Sequence, residues 1–228
     1  MINQIQKEIR SLANTKRVKT SAWFFKTGPG QYGAGDKFLG LNTPQTRLIS
    51  KKYKDLSLAD IQKLIKSPFH EERSIALQIL VHQYPKNPKT IYEIYLKNTK
   101  YINNWDLVDI SAPKIVGEYL LGKPLAPLLK LAKSKSLWER RIAILATFAF
   151  IYKGDPRPTL RISKLLLKDK HDLIHKAAGW MLREVGKRCG QKYLTDFLDA
   201  NLRLLPRTTL RYAIERLPAN LKTQYMRS

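Results

Sequence analysis

The chain has 228 residues, with 42 lysines and arginines against 18 aspartates and glutamates, and a formal net charge of +24. A domain of this length needs far less charge for solubility, so we expect a polyanionic partner: nucleic acid first, and an anionic membrane surface or an acidic protein second. The single cysteine, Cys189, excludes an intrachain disulfide framework and a zinc site made of cysteines, and it fits a reducing cytoplasm.

The apolar segments of the chain predict neither an export signal nor a membrane span. Residues 1–8 lack the unbroken apolar core of a secretory signal. The longest apolar stretch, residues 142–151, is interrupted by Thr147 and has about half the length that a membrane-spanning helix requires. We therefore predict that this stretch is part of a buried helix.

Apolar residues recur at three- and four-residue spacings along most of the chain, as in Ile61, Leu64 and Ile65, whereas sustained polar and apolar alternation is nearly absent. The pattern predicts helices near residues 2–13, 43–53, 58–66, 70–83, 88–98, 104–120, 124–133, 136–152, 158–168, 171–188, 190–202, 206–216 and 218–226. Short, closely linked helices are typical of helix pairs that stack side by side. We therefore predict an all-α fold, a curved α-solenoid of helical repeats.

We expect a single domain over residues 1–228, with N-terminal helices and a glycine-rich loop in residues 1–42 and the repeat solenoid in residues 43–228. The glycine-rich loop covers residues 27–36. It lacks the Gly-Lys-Ser/Thr ending of a phosphate-binding loop, and no strand precedes it. We interpret it as a flexible connector rather than a nucleotide site.

Basic residues greatly outnumber acidic ones in one segment of the C-terminal half. Residues 157–192 contain ten lysines and arginines against three aspartates and glutamates, including Arg183, Lys187 and Arg188 at helical spacing. A solenoid has a concave face that suits a rod-shaped ligand, and we expect these side chains to follow nucleic-acid phosphates there. The alternative for any one of them is an ordinary solvated face.

Three of the four tryptophans stand beside charged residues at helical spacing. Each tryptophan then shares a helix face with a charged side chain, the pairs being Trp105 with Asp109, Trp138 with Arg141, and Trp180 with Arg183. Plainer alternatives exist for each, because helical tryptophans are usually core residues, Asp109 in a first turn can stabilise the helix dipole, and Arg141 can pair with a carboxylate. Together, however, aromatic faces, one carboxylate and arginines on a basic scaffold attract a cation without leaving the nucleic acid.

A cationic nucleobase, as produced when a purine is alkylated at N3 or N7, is the substrate that this grouping suits. Indole faces attract positive charge, and a carboxylate stabilises the sugar cation that develops as the glycosidic bond breaks. Asp109 would also orient a water for attack at C1′, so we expect no metal ion, cofactor or lysine nucleophile. A neutral base gains little from such a site, which predicts selectivity for damaged purines.

A family resemblance is carried by residues 37–41 with Pro44 and Arg47, and by residues 71–77, 104–109, 138–141, 171–184 and 207–212. In these segments, which cover nearly the whole chain, the sequence resembles the AlkD-like family of DNA alkylation repair glycosylases, built from HEAT-like repeats. The resemblance implies that Trp105 and Trp180 face the deoxyribose of the lesion, that Asp109 is the catalytic carboxylate, and that Arg141 contacts the DNA backbone beside it. It also implies that N3- and N7-alkylated purines are excised from duplex DNA with the damaged base left in the duplex.

With double-stranded DNA as the expected partner, the expected DNA-binding residues are Arg47, Arg140, Lys176, Arg183, Lys187, Arg188, Arg207 and Arg211. We expect a monomer that acts at the nucleoid in the cytoplasm. The chain departs from the family upstream, where some relatives place a tyrosine near the DNA and this chain has Trp23-Phe24-Phe25 before a longer glycine-rich loop. Phe24 lacks the hydroxyl, which leaves a polar contact there unsupported.

Two other functions are compatible with the same sequence features. A non-catalytic helical-repeat protein would bind DNA or RNA through the same basic surface. An adaptor for acidic proteins would use the same charge but leave the tryptophan and aspartate grouping unexplained. His171 and His175 are four residues apart, a spacing that suggests a metal site. The glutamate of the zincin motif is absent between them, so we expect His171 to cap a helix or to pack instead.

Overall fold

The computed structural model describes residues 1–227, which form a succession of α-helices joined by short loops. Within these residues there is no β-strand, and the backbone makes one isolated parallel bridge, between Lys37 and Phe69. The all-α, helical-repeat fold class is thereby confirmed. In the same residues no helix combines the length and the apolarity needed to cross a membrane.

The helices are short and follow one another closely. They are α1 (Ile2–Ser11), α2 (Thr15–Phe24), α3 (Thr43–Lys52), α4 (Leu58–Ile65), α5 (His70–Gln83), α6 (Pro88–Lys97), α7 (Trp105–Ala112), α8 (Glu118–Leu120), α9 (Ala126–Ala132), α10 (Leu137–Ala146), α11 (Phe148–Tyr152), α12 (Arg157–Leu166), α13 (Asp172–Arg188), α14 (Gln191–Asn201), α15 (Arg207–Ala213) and α16 (Ala219–Arg227). Further single turns are a π-helical turn at Pro113–Gly117 and 3₁₀ turns at Thr99–Tyr101 and Leu202–Leu204.

The chain divides into two compact units, the first covering Met1–Ser111 and the second beginning at Ala112. In the first unit, α3 and α4 both pack on α5. In the second, α10 packs against α9 and α13, and α13 also packs against α14 and α15. Neighbouring helices thus cover one another's apolar faces, as a helical repeat requires because no single helix can bury its own. The predicted division of the chain at residues 42 and 43 stays a prediction.

The apolar spacing that predicts the helices also decides which side chains are buried. Ile61, Leu64 and Ile65 of α4 are fully buried. In the second unit, a separate apolar cluster forms between α13, α14 and α15 and includes Leu182 and Leu198. Burial of such side chains supplies the main driving force for packing the helices.

One helix of the first unit has no counterpart in the sequence prediction. The apolar pattern predicts no helix between residues 14 and 42, yet α2 occupies Thr15–Phe24. None of its side chains is fully buried, so it has no continuous apolar face whose period could reveal it. The helix is instead specified at its N-terminus, where the Asn14 side chain accepts a hydrogen bond from the Arg17 N–H at 3.2 Å.

Two long predicted helices are interrupted. The helix expected over residues 104–120 is divided because Pro113 lacks an N–H and begins a π-helical turn. The helix expected over residues 136–152 is divided at Thr147, whose hydroxyl donates to the Ile144 carbonyl at 2.6 Å. In both places a local backbone preference ends a helix although the apolar pattern continues.

Candidate functional site

The start of α7 carries the predicted pair of a tryptophan and a carboxylate. Trp105 and Asp109 lie one helical turn apart, and both residues are partly buried. The Asn104 side chain accepts a hydrogen bond from the Trp105 N–H at 2.9 Å, which gives this N–H an acceptor at the start of the helix. Leu107 and Val108 are fully buried and anchor the helix in the first unit. The four-residue spacing places the indole and the carboxylate on the same side of α7.

Trp105 belongs to an aromatic cluster with the segment that precedes the glycine-rich loop. Phe25 stacks on Trp105 with ring centroids 5.5 Å apart, and Phe24 meets the indole edge to face at 5.7 Å. Trp23 and Phe24 are exposed, by 72% and 51%. The segment that departs from the family pattern therefore lies directly against the tryptophan of the predicted site.

A buried polar network lies beside this turn, and the sequence pattern does not predict it. His70, the first residue of α5, is buried, and its Nε2–H donates to Asp106 Oδ2 at 2.8 Å. Asp36, at the end of the glycine-rich loop, lies 3.4 Å from the other ring nitrogen of His70 and accepts a hydrogen bond from Arg73 at 2.7 Å. Asp36 thus ties the end of the loop to α5, which the interpretation of this loop as a flexible connector does not anticipate.

The positive and negative charges of this network are equal in number. Burial opposes protonation of His70, but the charge of Asp106 and the hydrogen bonds to Asp106 and Asp36 outweigh it and raise the pKa of His70 to about 9. Burial likewise opposes ionisation of Asp36, yet the His70 hydrogen bond, the Arg73 charge and the Asn103 hydrogen bond hold its pKa below its ordinary value. At neutral pH two cations, His70 and Arg73, therefore face two carboxylates.

A cavity of about 430 Å³ opens beside the network. Its wall includes the rings of Phe24, Phe25 and Phe38 together with His70 and Asp106. The Oδ1 atom of Asp106 is buried and has no hydrogen-bond partner within the described part of the chain. A buried acceptor at the wall of a cavity is a position where a water or a polar ligand group would be stabilised.

In the second unit, the predicted Arg141 is a buried residue with a fixed guanidinium. It is 5% exposed on α10, and its Nη1 donates to the Leu173 carbonyl in the first turn of α13 at 2.7 Å. Trp138, three residues earlier on the same helix, is 9% exposed. It belongs to the core, as most helical tryptophans do. A neighbouring helix therefore sets the direction of the Arg141 side chain.

Trp180 lies partly exposed on α13 beside an aromatic pair. Its ring centroid is 5.9 Å from that of Phe148, which in turn is 4.7 Å from Tyr152. The preceding residue must be glycine, because a Cβ on Gly179 would lie 2.6 Å from the Thr209 carbonyl oxygen of α15. Close packing of α13 on α15 thus explains a glycine inside a helix.

The predicted DNA-binding residues differ in how far the fold engages them. Arg47, Lys187 and Arg211 have exposed side chains. Others contact acidic side chains or a carbonyl of the second unit, namely Arg140 with Asp169, Lys176 with Asp172, Arg183 with Glu215 and Glu184, Arg188 with Glu184, and Arg207 with the Met226 carbonyl. An arginine that is already paired has fewer N–H groups to offer a phosphate. We therefore expect the exposed residues Arg47, Lys187 and Arg211 to contribute more to DNA binding than the paired ones.

The two histidines of the metal hypothesis contact the backbone. The Nδ1 of His171 accepts a hydrogen bond from the Leu173 N–H at 3.1 Å and caps α13, which confirms the expected capping role. His175 Nε2 lies 2.5 Å from the Asp169 carbonyl oxygen. Over residues 1–227, no group of three or more His, Cys, Asp and Glu side chains is arranged to hold a metal ion.

Packed helix pairs in a strongly basic chain are typical of one class, the helical-repeat proteins that bind polyanions such as nucleic acid. The family model for DNA alkylation repair enzymes matches residues 5–217, and the chain therefore belongs to this family and has a role in DNA repair. A solved structure of a predicted DNA alkylation repair enzyme from Enterococcus faecalis is similar over 91% of this chain and 97% of that one, with a TM-score of 0.69 and 15% sequence identity. This likeness shows a shared fold. No curated protein sequence matches the chain.

Proposed function

We propose that the chain is a monofunctional DNA glycosylase of base excision repair, which hydrolyses the N-glycosidic bond of cationic N3- and N7-alkylpurines in duplex DNA without flipping the base. The observation that carries the proposal is the partly buried pair of Trp105 and Asp109, one turn apart on a helix whose first N–H is accepted by the Asn104 side chain. We further propose that it acts as a monomer on DNA in the cytoplasm, at the nucleoid.

The chemistry needs only an indole, a carboxylate and water. Alkylation at N3 or N7 gives the purine a positive charge, and the indole face of Trp105 would attract the charged nucleotide. As the bond from C1′ to the base breaks, the Asp109 carboxylate would stabilise the sugar cation and orient a water toward C1′. The base leaves as a neutral alkylpurine, the water oxygen bonds to C1′, and one proton is released.

The family resemblance implies further contacts to the lesion nucleotide. Trp180 would meet the deoxyribose, and Arg141 would contact the adjoining phosphate. The orientation of Arg141 by the Leu173 carbonyl supports a positional role for that guanidinium, since a fixed donor binds a phosphate at a smaller entropic cost. Exposed basic residues such as Arg47, Lys187 and Arg211 would bind phosphates of the duplex.

Release of free base tests the proposal directly. Duplex DNA that contains 7-methylguanine is incubated with excess protein, and the released base is quantified by chromatography. We expect release by the wild type and a loss of about 100-fold or more in Asp109→Asn, because a neutral amide stabilises the sugar cation poorly. The matched control is Asp196→Asn, whose carboxylate sits in an exposed pair with Lys192 and should retain the wild-type rate. A wild type that releases no alkylated base would overturn the proposal.

The net charge of +24 favours one second candidate, a helical-repeat protein that binds nucleic acid without catalysis. Such a protein would bind duplex DNA with the salt dependence of a polycation and would release no base from any alkylated substrate. Asp109→Asn would then strengthen binding slightly, because it removes a negative charge. Parallel measurement of affinity and base release therefore separates the two functions.

A further inference from the structure

One buried side chain of the first unit, His70, links the glycine-rich loop to α7. Its backbone N–H donates to the Lys37 carbonyl at 2.8 Å, which holds the chain after the loop against the start of α5. Its ring contacts Asp106 through Nε2 at 2.8 Å and Asp36 through Nδ1 at 3.4 Å. A single imidazole therefore joins three elements: the loop, α5 and α7.

Both ring contacts of His70 are hydrogen bonds only when both ring nitrogens carry protons. A neutral imidazole donates from one nitrogen, which leaves the other nitrogen's lone pair facing a carboxylate. Protonated His70 and Arg73 together balance the charges of Asp36 and Asp106. The doubly protonated ring thus donates to both carboxylates, whereas the neutral ring donates to one and turns a lone pair toward the other.

The remaining surroundings of the ring do not compete for its proton. Phe25 and Phe38 lie against the ring at centroid distances of 4.7 and 4.8 Å and carry no charge. Glu71, which lines the same cavity, directs its carboxylate to the backbone N–H groups of residues 39–41 at 2.7 to 3.2 Å. The charged groups that act on His70 are therefore Asp106 from α7, Asp36 from the loop and Arg73 from its own helix.

The position of His70 is transmitted to Trp105 in two ways. Asp106, which His70 binds, is the next residue of the chain after Trp105. Phe25, which contacts the imidazole, also stacks on the indole at 5.5 Å. A shift of the His70 ring would therefore move both the backbone and the ring face of Trp105, and with them Asp109 one turn along.

We propose that His70 is a positioning residue: as an imidazolium clasp between Asp36 and Asp106, it fixes the turn of α7 that carries Trp105 and Asp109. The catalytic consequence of the clasp rests on the proposed glycosylase function, whereas the clasp itself is a property of the free protein. Removal of the proton turns a ring lone pair toward one of the two carboxylates, so the turn loosens and Asp109 loses its alignment with C1′. The raised pKa of His70, about 9, keeps the clasp closed at neutral pH.

The clasp is tested first in the free protein, by NMR titration of the histidine ring nitrogens, with the His70 signals assigned by their absence in His70→Phe. We expect both ring nitrogens of His70 to be protonated at neutral pH and to titrate near pH 9. In Asp106→Asn, where the carboxylate charge is gone, the midpoint should fall toward the ordinary value of 6.5. A wild-type His70 that titrates near 6.5 would overturn the clasp.

The catalytic consequence is tested by single-turnover excision of 7-methylguanine at saturating protein, with base loss in the absence of protein subtracted at each pH. With the DNA kept saturated by protein at each pH, the wild-type rate should fall about 10-fold for each pH unit above the His70 midpoint. Asp106→Asn should move the fall to lower pH, and His70→Phe, which keeps an aromatic ring, should be slow at every pH. His82→Gln, at the other end of α5, is the matched control and should follow the wild-type profile.

The outcomes separate the two proposals. A wild-type excision rate that stays constant while His70 loses its proton overturns the positioning role. If the wild type releases no base at any pH, the glycosylase function is wrong. The clasp is then tested in the free protein by the fluorescence of Trp105, which is the difference between the emission of the wild type and that of Trp105→Phe. An emission that changes with the His70 midpoint supports the clasp, and an emission that does not change overturns it.

Discussion

Phe25 stacks on Trp105 with ring centroids 5.5 Å apart and ring planes 28° apart. The same phenyl ring also contacts Phe38 at 5.3 Å and His70 at 4.7 Å. Phe25 therefore joins the indole of the candidate site to the buried part of the first unit. Although residues 23–25 depart from the family pattern, two of them, Phe24 and Phe25, pack against Trp105.

Substitution of Phe25 tests this support. We expect Phe25→Ala to lower the free energy of unfolding by about 3 kcal/mol, because it leaves a gap among the four rings that Phe25 contacts. It should also slow excision, since Trp105 loses one face of its packing. Trp23→Ala is the control in the same segment: its side chain is 72% exposed, and its effect on stability should stay within about 0.5 kcal/mol. Urea unfolding of both variants measures the difference, and equal destabilisation would contradict the role given to Phe25.

The histidine network predicts how stability depends on pH. The pKa of His70, about 9, exceeds the ordinary value of 6.5, so its stabilisation is fully present below pH 6.5 and is lost as the pH rises through 9. The loss corresponds to about 3 kcal/mol. Asp36 acts in the opposite direction: its lowered pKa gives a stabilisation that is present above pH 3.8 and lost in more acidic solution.

Urea unfolding from pH 6 to pH 10 measures the alkaline loss. In His70→Phe the free energy of unfolding should be lower at neutral pH, and its decline toward pH 10 should be much shallower than in the wild type. His82→Gln should keep the wild-type decline. A decline of equal size in His70→Phe would assign the pH dependence to other groups.

The features predicted from the sequence are those that depend on nearby residues. Trp105 and Asp109 are four residues apart on one helix, so helical geometry alone places them together. The helix α4 is likewise evident because Ile61, Leu64 and Ile65 repeat at the helical period and are buried by their neighbours. The capping role of His171 also depends only on a residue two positions away.

The features that escaped prediction arise from contacts between distant residues or from helices without an apolar face. His70 and Asp106 are 36 residues apart, and nothing in their own segments shows that α5 and α7 will bring them within 2.8 Å. Asp36 lies in a glycine-rich loop whose composition indicates flexibility, yet hydrogen bonds from Arg73 and Asn103 hold it. Only tertiary packing selects these partners, so neither periodicity nor composition records them.

The buried Glu71 carboxylate predicts a second effect on stability, because three backbone N–H groups have it as their acceptor. Its Oε1 accepts from the N–H groups of Gly40 and Leu41, and its Oε2 accepts from that of Leu39. Glu71→Ala should cost about 3 to 4 kcal/mol, because three N–H groups lose their acceptor. Glu71→Gln should cost about 1 to 2 kcal/mol, since its amide oxygen still accepts from two of them. Urea unfolding measures both, with Glu93→Gln on the exposed side of α6 as the control, and an equal cost for Ala and Gln would contradict this account.

Two glycines of α13 should respond differently to alanine. A Cβ at Gly179 would lie 2.6 Å from the backbone oxygen of Thr209, which cannot move without separating α13 from α15. A Cβ at Gly186 would lie 2.7 Å from the end of the Leu194 side chain, which can adopt another rotamer. We expect Gly179→Ala to cost about 2 to 3 kcal/mol and Gly186→Ala about 1 kcal/mol or less. Thermal unfolding of the two variants provides the comparison, and the reverse order would show that α15 moves easily.

The basic residues predict two separable effects on DNA binding. Arg47, Lys187 and Arg211 are exposed, so alanine at each should weaken DNA binding and lower the slope of log affinity against log salt by about 1, without loss of stability. Arg140 donates to both oxygens of buried Asp169, so Arg140→Ala leaves that carboxylate with the His171 N–H but without its charged partner and should lower the free energy of unfolding by about 3 kcal/mol. Fluorescence anisotropy of a labelled duplex at several salt concentrations gives the slope, and urea unfolding gives the stability. An unchanged slope in all three exposed variants would mean that their side chains do not reach the phosphates, whereas an Arg140→Ala variant of wild-type stability would mean that its guanidinium is available to DNA after all.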